Sequence, residues 1–165
     1  MPTWNEFVWA AFLFHVWNSN DAYIQLMHEE RFTNQLWAGL PNPNNLEIPY
    51  IADKIIEFLQ DYRCRLASTQ TLVDSIQHTL QQVLPHLEAL HGFEIPTVNF
   101  EQLIEIDGDQ NSVGQSIQYL YDQFDAIRGI GPTTAKLLHI LQPNLFVMWD
   151  DEIANHYHNY NNQIN

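Results

Sequence analysis

Apolar residues recur at helical spacing through the middle of this chain, and that recurrence limits the fold more than any other feature. Ile51, Ile55, Phe58, Leu59, Tyr62 and Leu66 fall on one stripe, and Leu72, Val73, Ile76, Leu80, Val83, Leu84 and Leu87 resume the pattern after Ser68 and Thr69. Residues three and four apart share one face of a helix, so each stripe has to be buried against another element. Ile117, Leu120, Tyr121, Phe124 and Ile127 form a further amphipathic segment. Trp4, Phe7, Val8 and Ala11, joined by Trp9, Phe12, Phe14 and Trp17, predict a first helix that is apolar nearly all round and central in the core. No segment combines sustained strand alternation with hairpin-type turn signals. The expected class is all-α: a helical bundle forming a single domain over residues 1–165.

Punctuation residues divide the bundle. Asn18, Ser19, Asn20 and Asp21 suit a turn and cap, after which a second helix is expected from Ala22 towards Trp37, ended by Gly39 and the loop from Pro41 to Asn45. Pro49 suits a first helical position, Pro85 is placed to kink the helix that contains it, and Gly92 closes that helix. Ile95 to Val98 reads as briefly extended. Asn99 with Gln102 resembles a capping box for a short helix through Ile106, and Asp107 to Ser112 reads as a loop. The Asn- and aromatic-rich tail at 156–165 is expected to fray.

Composition bounds the function. A chain that is 45% hydrophobic and 13% aromatic can bury a sizeable core despite a formal charge of −14. The lone Cys64 excludes an internal disulfide framework and any site built from several thiolates, and fits a reducing, intracellular (cytoplasmic) location. The most apolar run, Phe7 to Trp17, is too short to span a bilayer, which takes about 20 residues, and it lacks the basic lead-in of a signal peptide; no membrane association is expected. The excess of acid opposes phosphate binding. It is unevenly distributed, however: between Asp125 and Trp149 the formal charges are Asp125, Arg128 and Lys136, so this stretch carries +1. If nucleic acid is contacted anywhere, it is there.

The same stretch holds the most informative motif. An amphipathic helix runs into Arg128-Gly129-Ile130-Gly131-Pro132, where two glycines allow positive backbone angles or close approach and Pro132 starts a new helix without needing a donor. Ile130 is placed to plug the gap between the helices, and free amides before Thr134 are placed to hold a phosphate. Beyond the tetrapeptide, Thr134 and Ala135, the apolar run Leu137 to Leu141, Pro143, and Trp149 with Asp150 complete a pattern. Together these residues resemble the core of the helix-hairpin-helix DNA glycosylase superfamily, the endonuclease III-like base excision enzymes. The resemblance covers about 25 to 40 residues, with the helix-hairpin-helix at about 116–142. It implies a DNA glycosylase-like helical fold and backbone contacts from Arg128, Gly129, Ile130, Gly131, Thr133, Thr134 and Lys136.

The departures from that family limit the chemistry. Thr133 stands where the members that cleave the backbone carry a lysine nucleophile, and a neutral hydroxyl forms no Schiff base. Lys136 lies three positions further along the helix and faces another way. Asp150 matches the catalytic aspartate of the monofunctional members, and equally suits a helix N-cap ahead of Asp151 and Glu152. Only 15 residues follow it, and no cluster-binding cysteines are present. If the chain is an enzyme, the resemblance implies a monofunctional DNA N-glycosylase-like hydrolase with Asp150 as its acid and no external cofactor.

The weaker signals favour ordinary structure. Asp107, Asp109 and Asn111 open like a calcium loop, but Ser112, Gly114 and Gln118 stand where that loop needs glycine, an apolar residue and glutamate. His156 and His158 near Asp150, Asp151 and Glu152 are too poorly spaced for a metal site, so no metal is expected. His139 reads as a hydrogen-bonded helical residue, and Cys64, although flanked by Arg63 and Arg65, has no catalytic partner. Two functions therefore compete. One is a divergent helix-hairpin-helix domain that contacts the DNA backbone without reading sequence. The other is a non-catalytic acidic protein-interaction module, or DNA mimic, that keeps the fold and binds a basic protein partner. The oligomeric state is not fixed by the sequence.

Overall fold

The computed structural model describes residues 21–34, 36, 46–62, 64, 66, 67 and 69–146. The expected first helix at Trp4 to Trp17, Asp150, and the histidines of the tail lie outside the described residues. In chain order the elements are α1 (Asp21–His28), α2 (Glu30–Thr33), α3 (Ile48–Asp61), α4 (Gln70–Ala89), β1 (Leu103–Ile106), β2 (Asp109–Ser112), α5 (Val113–Asp125), a 3-10 turn (Gly131–Thr133) and α6 (Thr134–Leu141). The protein is mostly helical, with one two-stranded sheet. Among the described residues, no helix is long and apolar enough to cross a membrane.

The stripe from Leu72 to Leu87 becomes the central helix. Thr69 starts it: its backbone is extended and its side chain accepts a hydrogen bond from the Leu72 amide. The helix runs through Pro85, which removes one donor, and ends at Ala89, three residues before Gly92 turns the chain at φ +87°. α4 packs on α3 along one side and α5 along the other, and β1 also lies against it. Ile51, Ile55, Phe58 and Leu59 of α3, Ile76, Leu80, Val83 and Leu87 of α4, and Leu120 and Phe124 of α5 are all buried in one cluster. α6 closes that cluster with Leu137, Leu138, Ile140 and Leu141, packing on both α3 and α5. The expected helical class and the stripes that predict it are present.

Residues 95–112 depart from expectation. Ile95 to Val98 form a turn in which the amides of Thr97 and Val98 both donate to the Glu94 carbonyl, rather than an extended segment. Asn99 does not cap a helix; its side chain accepts from the Glu101 amide in a local turn, and β1 follows. Residues 107–112 are likewise not a plain loop. β1 and β2 pair antiparallel, Ile106 opposite Asp109 and Leu103 opposite Ser112, around Asp107 (φ 53°) and Gly108 (φ 89°). Two successive positive φ values in a two-residue connection define the type I′ hairpin turn, for which Asp-Gly is a preferred pair. The short strands alternate only weakly, so this turn chemistry decides the conformation. The capping box lies further on: Ser112 accepts from the Gln115 amide, and the Gln115 side chain accepts from the Ser112 amide, starting α5.

The expected second helix is broken at Glu29, whose backbone is extended (ψ 98°) between α1 and α2. The Glu29 carboxylate is held there from α3. It accepts hydrogen bonds from the Tyr50 hydroxyl and from the Lys54 ammonium, the latter at 2.9 Å. The Tyr50 hydrogen bond, aided by Lys54 and Arg31, holds the Glu29 carboxyl below its ordinary value. A group whose pKa is depressed by folding stabilises the fold above its unfolded value, and loses that contribution as pH falls through the folded one. Urea denaturation of the wild type and Glu29→Gln should therefore differ most near neutral pH and converge as the pH falls through the depressed Glu29 value. A constant gap across that range would show that the contribution is not ionic.

Candidate nucleic-acid interface

The connection between α5 and α6 is built around one buried side chain. Phe124 ends the apolar face of α5, and just beyond the helix the Ile127 amide donates to the Phe124 carbonyl as the chain tightens. Gly129 then reverses the chain at φ +98°, a region that side-chain-bearing residues rarely adopt. The reversal places Ile130, which is fully buried, into the core between the helices. Ile130 is thus the plug its position between two glycines predicts. Gly131 has a different role from Gly129. Its φ is not positive; instead, a Cβ there would stand 3.1 Å from Asp125 Oδ1.

The backbone groups of the turn divide into those used internally and those left over. The Ile130 carbonyl accepts from both the Thr133 amide at 2.6 Å and the Thr133 hydroxyl at 2.7 Å, and the Gly131 carbonyl accepts from the Thr134 amide. Among the described residues, the amides of Arg128, Gly129 and Gly131 make no backbone hydrogen bond. The donors free to meet an anion are therefore one turn earlier than Thr133 and Thr134. Thr134 itself is buried, and its Oγ1 has no partner.

The surroundings of the turn come from two distant parts of the sequence. Leu66, in the linker between α3 and α4, lies 4.0 Å from where a Gly129 Cβ would be. Lys136 extends its ammonium over the Tyr62 ring, 5.2 Å from the centroid, and acts on the Cys64 thiol. Burial pushes that thiol up, with Lys136 opposing it, so Cys64 is not activated as a nucleophile. Arg128 is exposed beside Gly129. Arg63 and Arg65, on either side of Cys64 in sequence, lie outside the described residues. Residues 125–136 hold Arg128 and Lys136 against Asp125. Residues 67–124, by contrast, hold eight acids and no lysine or arginine.

The remaining candidates are ordinary. His139 Nδ1 lies 2.6 Å from the Phe146 carbonyl and its ring packs on Tyr23, which is a structural role. The Asp107 and Asp109 segment is the hairpin turn, and among the described residues no group of three potential ligands could hold a metal ion. Sequence reasoning missed Tyr62, Cys64 and Leu66 as neighbours of the turn, because about 65 residues separate them from it and a single sequence carries no signal of that contact. The chain matches no known protein family, no curated protein and no solved structure.

Two substitutions separate scaffold from surface here. Ile130→Ala should destabilise the protein by about 2 to 5 kcal/mol, because it leaves a cavity at a fully closed site. Thr134→Val should be neutral or stabilising, since it keeps the shape and removes an unpartnered buried hydroxyl. Equilibrium urea unfolding measures both; a large loss for Thr134→Val would reveal a hydrogen bond at that oxygen.

Proposed function

We propose that this chain is a divergent helix-hairpin-helix domain that holds the phosphate backbone of DNA, without reading its sequence, through the turn at residues 126–133 and the basic residues beside it. The observation that carries the reading is a turn with free amides set in the stretch of the chain that carries net positive charge. Between Asp125 and Trp149 the formal charges sum to +1 in a chain at −14, and the described cations of that stretch, exposed Arg128 and Lys136, stand at and just after a turn with unpaired amides. Arg128 and the amides of Gly129 and Gly131 are the contacts nearest an incoming phosphate. Lys136 adds charge from behind, its position fixed by the Tyr62 ring.

Asp125 limits the affinity. Its carboxylate flanks Gly131, where it repels an anion approaching the free amide. The reading extends to backbone binding only, because Asp150, the acid that base excision would need, lies outside the described residues. The acidic remainder of the chain makes such binding weak and strongly dependent on salt.

Binding of the purified protein to short duplexes, intact or containing an abasic-site analogue, tests the proposal at low and moderate salt. Arg128→Ala should weaken binding equally across sequences and lower the log–log salt slope by about 1. Asp125→Asn should strengthen it, and Gly131→Asp should abolish it. Absence of binding even at low salt, or an Asp125→Asn variant that binds no better, would overturn the proposal.

A further inference from the structure

The β-hairpin carries a surface that neither the core nor the turn at Gly129 uses. In a hairpin closed by two residues, the pair flanking the turn is hydrogen-bonded and every second pair follows it, so Ile106 and Ile104 direct their backbone groups to β2. The amides and carbonyls of Leu103 and Glu105 therefore face outward, and among the described residues none of them makes a backbone hydrogen bond. The side chains alternate accordingly. Ile106 is buried and Ile104 half-buried against the core, while Leu103 is 63% exposed. Phe100, just before the strand, is 55% exposed. Such edges are usually protected by charge, and Glu101, Glu105 and Asp107 supply it. Protection alone does not require Leu103 on the strand and Phe100 in the turn before it to stand in water.

We propose that the outer edge of β1 is a docking site for an extended, cationic segment of another protein, which adds to the sheet as a third strand. The backbone groups of Leu103 and Glu105 pair with it, Leu103 and Phe100 give it apolar contact, and Glu101, Glu105 and Asp107 select for lysine or arginine. Charge decides between occupants. A second copy of this chain pairing edge to edge would bring these carboxylates against their own counterparts, in a molecule already at −14. A basic strand has the opposite sign throughout. Nothing in this proposal depends on DNA binding, since it uses neither Arg128 nor the Gly129 turn.

The probe is a synthetic nine-residue peptide alternating threonine with lysine, with one valine replacing the lysine that would face Leu103. Its control carries the same residues with the backbone nitrogens on the pairing edge methylated, which keeps the charge and removes the donors. The full-length protein should bind the probe at least tenfold more tightly than the control, with slowed hydrogen exchange at the Leu103 and Glu105 amides. Leu103→Lys combined with Glu105→Lys should abolish binding while leaving the far-UV circular dichroism unchanged. Equal binding of probe and control would reduce the effect to plain charge attraction and overturn the proposal. So would unchanged exchange at the two amides, or self-association that Leu103→Lys abolishes, which would assign the edge to a second copy. The methylated control acts on the unmodified protein, so the test holds even where the double variant fails to fold.

Discussion

The structure depends on burial of the α4 stripe. Leu72, Ile76, Leu80, Val83 and Leu87 lie along one helix that packs on α3, on α5 and on the hairpin, so each of those elements is positioned by its contact with α4. Burying an aliphatic side chain contributes roughly 1.5 to 3 kcal/mol. A stripe of five therefore outweighs any single polar contact on the surface, including the ion pair of Glu29 with Lys54. It also tolerates local irregularity: Pro85 costs a backbone bond within the helix, yet the residues around it, Val83 and Leu87, remain buried. Side chains extend the same logic between elements. His86 of α4 stacks on Tyr119 of α5 with centroids 4.3 Å apart, and Gln142 Nε2 donates to the Leu87 carbonyl across 55 residues of sequence.

What was legible in the sequence follows from how strongly local chemistry alone decides a conformation. The stripes of α3, α4 and α5 could be read because a 3.6-residue period over three or more turns has only one economical solution. The Gly129-Ile130-Gly131 turn was readable in outline because a positive φ and a buried plug leave a signature in adjacent residues. The hairpin at 103–112 was misread because only Ile104 and Ile106 face the core, too few to show alternation. The informative pair was Asp107-Gly108, whose turn type fixes the strands on each side. The break at Glu29 left no signal, since its cause, Tyr50 and Lys54, stands more than 20 residues away.

The candidate interface was legible in one half only. Arg128, Gly129, Ile130 and Gly131 sit together in sequence, and so their grouping was available at once. The linker with Tyr62, Cys64 and Leu66 joins them only because α6 packs on α3, which carries the end of one segment to the start of the other. Long-range packing of this kind is set by side-chain volumes over the whole core, and no short motif records it. The division of labour within the turn was likewise hidden: Thr133 turns its hydroxyl back onto the Ile130 carbonyl, which reinforces the plug and removes that group from the surface.

Charge segregation gives the two surfaces their separate characters. A chain at −14 with its positive residues dispersed would present a repulsive field to any polyanion and a uniform attraction to any cation. Here the 58 residues from 67 to 124 are free of lysine and arginine, while the turn and the helix after it carry Arg128 and Lys136 against Asp125. At physiological ionic strength the screening length is about 8 Å, so each surface senses chiefly the charges within its own neighbourhood. Local composition, rather than the net figure, then governs what each surface attracts. The same screening makes Asp125 important out of proportion to its single charge. It lies inside that distance of the free Gly131 amide, whereas the acids of β1 act mainly through their own strand.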